Sequence, residues 1–190
     1  MIPRARSTTP NILQMEAVEC GAAALAMILG YYRRYIPLTQ LRRECGVSRD
    51  GSKASNVIKA ARLHGLNAKG YSKSLDQVKE LSFPCIVFWE FNHFLVVEGV
   101  HGDKGFLNDP AVGHRVLTFE EFDHGFTGVV LQFEPGDEFE TVGKAASALP
   151  GLWQRVQGNL PGLGYMVLLG LLLVIPGLAM PAMTKIFLDE

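Results

Sequence analysis

The chain has 190 residues, 48% of them hydrophobic and 19% charged, and its 18 Lys+Arg against 19 Asp+Glu leave a net charge of -1. This hydrophobic content excludes a largely disordered chain, and without a basic excess we expect no nucleic-acid partner. The three cysteines are odd in number and lack Cys-x-x-Cys spacing, so we expect reduced thiols and neither a disulfide framework nor a zinc site.

Composition divides the chain into four segments. Residues 1–10 are predicted to form a loose arm, residues 11–134 an independently folded domain and residues 135–160 a linker. In the last segment, 161–188, the run Leu163–Met183 is almost entirely apolar and would span about 30 Å as a helix, the thickness of a hydrocarbon core. We therefore predict a transmembrane helix there, the alternative being a buried helix of a soluble protein.

The first half of the domain is predicted to be helical. Cys20–Tyr32 is apolar on nearly every face, which indicates a helix buried at the centre of its lobe. A short helix is predicted at Thr39–Glu44, and a third, capped by Ser52, ends at about Leu63. The capping box Ser74-x-x-Gln77 predicts one further short helix.

In the second half of the domain, the spacing of the hydrophobic residues changes from that of helices to that of β-strands. A second capping box, Thr118-x-x-Glu121, predicts a short helix between the last two strands. Helices followed by an antiparallel sheet define an α+β domain. The predicted strands are Cys85–Trp89, His93–His101, Gly105–Asn108, Arg115–Leu117 and Gly128–Phe133.

Cys20 stands where the sequence changes from polar residues to the long apolar helix. A thiol at a helix N-terminus lies at the positive end of the helix dipole, which favours the thiolate that acts as a nucleophile. The alternative is a small buried hydrophobic residue, and this is our interpretation of Cys45 and Cys85.

A thiolate nucleophile needs a base and a group that orients the base. His93 begins one predicted strand and Asp109 follows the next, so a hairpin would place both at the same end of the sheet. Asp109 would then accept a hydrogen bond from one imidazole nitrogen and leave the other facing a thiol. Taken alone, a histidine at the start of a strand is more often a core or surface residue, and an Asp-Pro pair is usually just a turn.

No spacing of His and Cys indicates a metal site, and a Walker motif is missing, so we expect neither a metal nor another cofactor. The other histidines are expected to be solvated, namely His64, His101, His114 and His124.

These motifs resemble the bacteriocin-processing cysteine peptidase domains at the N-termini of peptidase-containing ABC transporters. The resemblance covers residues 11–134 and rests on QMEAVECGAAAL at residues 14–25, Asn92-His93-Phe94 and Asn108-Asp109-Pro110. The run Phe88–Phe94 is further similar to exporters of nitrile-hydratase-leader and lanthipeptide precursors. The resemblance implies a papain-like fold with a helical lobe and an antiparallel sheet lobe, followed by the first transmembrane helix.

The resemblance also implies a role for each residue of the site. Cys20 would be the nucleophile, His93 the general base and acid, and Asp109 the residue that orients His93. Gln14 would join the Cys20 backbone N–H in the oxyanion hole, where an amide donates without adding a charge. The family cuts a leader peptide after Gly-Gly or Gly-Ala, and a requirement for Gly at both positions before the cut would imply a channel, or slot, too narrow for a Cβ atom.

Three aromatic residues near His93 are the expected walls of this slot, although Phe94 is equally typical of core packing. The implied partner is a precursor peptide whose amphipathic leader helix binds a hydrophobic groove. The peptidase domain would be cytoplasmic, at the inner or cell membrane of a bacterium, and the remaining transporter and nucleotide-binding domains would lie outside this sequence. The candidate substrate-binding residues are Trp89, Phe91 and Phe94.

Two alternatives remain at this point. A peptidase-like domain can dock substrates for a transporter without cutting them, but degenerate domains of this kind lack the catalytic cysteine. A thiol acyltransferase on the same scaffold would pass the acyl group to an amine instead of water.

Overall fold

One antiparallel sheet of six strands, in the order β1-β6-β2-β3-β4-β5, organises the N-terminal unit. The computed structural model describes residues 6–143, 153 and 156–188, with side chains up to residue 177, and the chain forms two compact units, 1–145 and 146–190. In chain order the elements of the first unit are α1 (Cys20–Tyr31), α2 (Leu38–Glu44), α3 (Ala54–Leu63), β1 (Leu66–Ser72), α4 (Leu75–Val78), β2 (Cys85–Trp89), β3 (His93–His101), β4 (Lys104–Asp109), β5 (Gly113–Thr118), α5 (Phe119–Gly125) and β6 (Phe126–Pro135).

Helix α1 is the core of the helical lobe. Every residue from Cys20 to Gly30 is buried, as its uniformly apolar sequence predicts, because α2 and α3 pack on one side and strands β2 and β3 on the other. Gly21 permits the close approach at the start of the helix: a Cβ there would lie 3.1 Å from Ser52, 3.2 Å from Val57 and 3.3 Å from Phe94. The first turn of α1 is therefore pressed between α3 and β3.

The antiparallel pairing of β2, β3 and β4 places the β2–β3 turn and the end of β4 at the same end of the sheet. Trp89 pairs with His93 where β2 turns into β3, and Val96 pairs with Asn108 in the next hairpin. Asp109, the last residue of β4, therefore lies towards the beginning of β3. The α+β architecture predicted from the sequence is confirmed.

One strand was missed and one local prediction is wrong. Strand β1 was not predicted, because it lies at the sheet edge, where only Leu66 and Ala68 of its seven residues are buried and the alternating pattern is weak. Ser52 does not cap α3, since the N-cap residue is Lys53 and makes no side-chain cap hydrogen bond. The Ser52 hydroxyl is instead buried, with no hydrogen-bond partner in the described part of the chain.

Residues 6–10 contradict the predicted loose arm. The Ser7 backbone N–H donates to the Glu98 carbonyl at 2.9 Å, and the Thr9 backbone N–H and hydroxyl donate to the Glu98 carboxylate at 2.7 and 2.8 Å. This segment is thus fixed on the sheet by a buried acidic residue, which a composition rich in Pro, Ser and Thr does not reveal. The first five residues of the predicted arm lie outside the described part.

The beginning of the predicted linker also belongs to the domain. The Gly136 N–H donates to the Gly65 carbonyl at 2.9 Å, and the Tyr35 N–H donates to the Val142 carbonyl at 2.8 Å. Phe139 packs against the core of the helical lobe. The folded domain therefore extends beyond residue 134, to about residue 143.

The second unit contains helix α6, Leu160–Leu188. By length and composition it is the one helix among the described residues that is long and apolar enough to cross a membrane. It includes the run Leu163–Met183 on which the transmembrane prediction rests.

Candidate active site

The imidazole of His93 and the carboxylate of Asp109 are paired, as the predicted hairpin requires. Nε2 of His93 lies 2.8 Å from Oδ1 of Asp109, and both side chains are largely shielded from water. This bond occupies Nε2 and leaves Nδ1 as the ring nitrogen that is available to a thiol.

Asp109 is held by two further groups that the sequence did not indicate. The Ala111 backbone N–H donates to Oδ1 at 2.9 Å, and the Arg115 guanidinium of β5 donates to Oδ2 at 3.2 Å. Burial alone would raise the pKa of Asp109, but the hydrogen bond from His93 and the other donors outweigh it and hold this pKa below its usual value. Asp109 is therefore a fixed, ionised acceptor for His93.

Cys20, the first residue of α1, lines the same cleft as His93 and is the thiol that acts on its imidazole. Burial would lower the pKa of His93, but the hydrogen bonds with Asp109 and Cys20 and the negative charge of both groups raise it to about 9. An imidazole with this pKa holds a proton at neutral pH. The ring can therefore donate to a leaving group and balance a thiolate at Cys20.

The other two cysteines have no such surroundings. Cys45 and Cys85 are fully buried, and burial raises the pKa of each thiol to about 12. Both residues are part of the hydrophobic core, in agreement with our interpretation of the sequence.

Gln14 borders the same cleft as Cys20 and His93. Its backbone N–H donates to the carbonyl of Pro110, the residue after Asp109, at 2.9 Å. Its side-chain oxygen is buried and has no hydrogen-bond partner within the described residues. The four predicted catalytic residues thus line one cleft.

The cleft has a volume of about 900 Å³, and all three aromatic residues predicted near the substrate line it. Trp89 and Phe94 are only 7% and 2% exposed, and Trp89 packs against Phe122 with ring centroids 5.4 Å apart. Phe91 is 80% exposed, at a turn where its φ of 57° is uncommon for a residue with a side chain. Trp89 and Phe94 are therefore rigid walls, whereas Phe91 stands at the rim.

Two histidines that were expected to be solvated have acidic partners. His64 is buried and its Nε2 lies 2.6 Å from a Glu44 oxygen, and His114 lies 3.3 Å from the Glu98 carboxylate. Their partners lie far away in the sequence, so the local pattern could not show them. Within the described residues no group of three or more His, Cys, Asp or Glu side chains could hold a metal ion.

A cysteine at a helix N-terminus beside a His–Asp pair on a neighbouring sheet is the arrangement of a papain-like cysteine peptidase. The profile of the peptidase C39 family matches residues 8–138, and the chain belongs to this family of cysteine peptidases.

Three relatives illustrate the match. The chain is 35% identical over 189 residues to the probable microcin-H47 secretion/processing ATP-binding protein MchF of Escherichia coli, covering 98% of this chain but only 27% of that protein. The crystal structure of a double glycine motif protease from an AMS/PCAT transporter, in complex with the leader peptide, is 54% identical with a TM-score of 0.68, covering 70% of this chain and 95% of the other.

The peptidase domain of Streptococcus ComA, described as a bi-functional ABC transporter, has a TM-score of 0.62 at 23% identity, over 65% of this chain and 96% of the other. At that identity the similarity shows the fold alone.

Proposed function

We propose that this domain is a leader peptidase: it cuts a precursor peptide after a Gly-Gly or Gly-Ala pair, and the protein to which it belongs exports the product as an ABC transporter. The observation that carries the proposal is the convergence of Cys20, His93 and Asp109 at one cleft. The similarity to a double glycine motif protease that binds a leader peptide supports the substrate class.

The reaction begins with Cys20 as the nucleophile. Its sulfur attacks the carbonyl carbon of the residue before the scissile bond, and the carbonyl electrons move to oxygen. As the C–N bond breaks, His93 donates its proton to the departing amine, which leaves the leader attached to sulfur as a thioester. Water then attacks the thioester, His93 takes the proton of that water, and the leader leaves as a carboxylic acid.

Gln14 stabilises the negative charge on oxygen in both steps. Its side-chain amide donates to the oxyanion together with the backbone N–H of Cys20, and both donors are neutral, so they do not compete with His93 for the thiolate. The position of Gln14 at the cleft supports this role.

The preference for glycine follows from the walls of the cleft. Trp89 and Phe94 are packed against other aromatic rings and have little room to move, so a substrate side chain would have to displace them. Replacing the last glycine of the leader by alanine should slow cleavage, and valine should nearly abolish it, while leader affinity stays unchanged. Equal kcat/KM for the peptides with glycine, alanine and valine at this position would contradict the proposal that Trp89 and Phe94 form a narrow slot.

The bound partner is a precursor peptide with an amphipathic helical leader, and helix α6 crosses the inner or cell membrane of a bacterium with the peptidase domain in the cytoplasm. The length and composition of α6 and the transporter names of the relatives support this location. In membranes washed with alkaline carbonate the 190-residue chain should stay in the pellet, whereas a chain that ends at residue 150 should be released. Release of both chains would contradict a membrane span.

Cleavage of a defined peptide tests the proposal. A synthetic precursor whose leader ends in Gly-Gly is incubated with the full chain in detergent, and the masses of the products are measured by mass spectrometry. We expect one cut after the second glycine, with water added. Cys20→Ala should abolish this cut, whereas the matched control Cys45→Ala should keep it. An intact precursor would indicate a docking domain, and a leader joined to an added amine would indicate an acyltransferase.

A further inference from the structure

Glu19, the residue directly before the nucleophile, is a fully buried acid that the proposed mechanism does not use. It is the last residue of a short 3-10 turn, Ala17–Glu19. Its Oε2 accepts hydrogen bonds from the backbone N–H groups of Met15 at 2.8 Å and Glu16 at 3.1 Å. The side chain therefore folds back on its own loop and closes it.

Arg42 of helix α2 completes this arrangement from another part of the chain. Its Nε lies 2.7 Å from Oε1 of Glu19, and its terminal nitrogen lies 3.2 Å from a carboxylate oxygen of Glu16. A buried carboxylate is costly unless it is paired. Arg42 pairs it as an ion pair, although Oε1 accepts no hydrogen bond within the described residues, and at the same time connects the loop to helix α2.

The loop that these bonds hold carries Gln14 at its beginning and Cys20 at its end. The side-chain oxygen of Gln14 has no hydrogen-bond partner within the described residues, so that oxygen does not anchor the amide. Its place at the cleft depends on the backbone, which is fixed by the bond from Gln14 to Pro110 on one side and by the Met15–Glu19 bond on the other.

We propose that Glu19 and Arg42 are positioning residues whose ion pair holds the Gln14 amide at the oxyanion position. The inference rests on the proposed peptidase function. Neither residue touches the substrate, and their effect on the reaction passes through Gln14. Disruption of the pair should therefore lower kcat without changing KM, because oxyanion donors act on the transition state.

A double-mutant cycle on the full chain in detergent tests this route. Gln14→Ala should lower kcat by about 100-fold, the typical loss of one oxyanion donor. Arg42→Ala should lower it by about 10-fold or more with KM within about twofold, since small misplacements cost factors of this size. In the Gln14→Ala background the same Arg42 change should alter kcat by less than about twofold. Arg43→Ala, which removes an exposed arginine of the same helix, is the matched control.

Glu19→Gln gives a second, independent disruption of the pair, and thermal unfolding of each variant separates loss of fold from loss of rate. The positioning role is overturned if the kcat losses of Arg42→Ala and Gln14→Ala multiply in the double variant. It is also overturned if folded Arg42→Ala and Glu19→Gln variants keep the wild-type kcat while Gln14→Ala loses it. A wild-type chain that does not cut the peptide at all would overturn the proposed function instead.

Discussion

Asp109→Asn offers a quantitative test of the His–Asp pair. The substitution keeps the shape of the side chain but removes the negative charge 2.8 Å from Nε2 of His93. Although burial lowers the pKa of His93, its partners raise it to about 9, and Asp109 supplies the first of the raising contributions. Loss of an adjacent opposite charge typically shifts a pKa by about 1 to 3 units, here downwards because the charged form is the one that Asp109 stabilises.

The assay is the pH dependence of kcat/KM, which reports the ionisations of the free enzyme. Activity of the wild type should decline above about pH 9, where His93 loses its proton. In Asp109→Asn this decline should begin about 1 to 3 units lower. Asp103→Asn, at the exposed turn between β3 and β4, is the control and should leave the profile unchanged. If kcat/KM of Asp109→Asn declines at the same alkaline pH as that of the wild type, the claim that the Asp109 charge raises the pKa of His93 is refuted.

Other predictions concern packing, thiol reactivity and capping. Gly125→Ala places a Cβ against the Trp89 indole, and overpacking should lower the free energy of unfolding by about 1–3 kcal/mol in urea titrations. Iodoacetamide at neutral pH should label Cys20, which borders the cleft, before the two core cysteines, as peptide mapping would show. Thr118→Ala removes the hydroxyl that accepts from the Glu121 N–H at 3.2 Å and should cost about 1 kcal/mol. Unchanged stability or equal labelling would contradict the respective prediction.

The parts of the fold that could be predicted are those in which a local pattern and burial agree. Strands β2 and β3 have the predicted bounds because both lie inside the sheet and are almost wholly buried, so their apolar runs are continuous. Helix α1 could be predicted because its apolar run is also continuous and buried. Strand β1 was missed because an edge strand exposes most of its side chains.

The site likewise combines features that a local sequence pattern determines with contacts that only packing between distant segments creates. Cys20, His93 and Asp109 could be connected because a helix start and a hairpin are local features whose geometry follows from the sequence. The pair of Glu19 with Arg42 could not, because this contact depends on the packing of the turn before α1 against α2. Arg115 lies across the β4–β5 hairpin from Asp109 and was missed although that hairpin is local. Groups that support a site are harder to predict than the groups that react.

The most direct measurement of the central claim is the capture of the acyl-enzyme. The full chain is mixed with a Gly-Gly precursor peptide, quenched in acid within one turnover, digested and mapped by mass spectrometry. We predict that the leader is attached to Cys20 as a thioester, and that the adduct disappears as free leader is released. Cleavage without any adduct at Cys20, or an adduct on Cys45 or Cys85, would contradict the claim that Cys20 is the nucleophile of a leader peptidase.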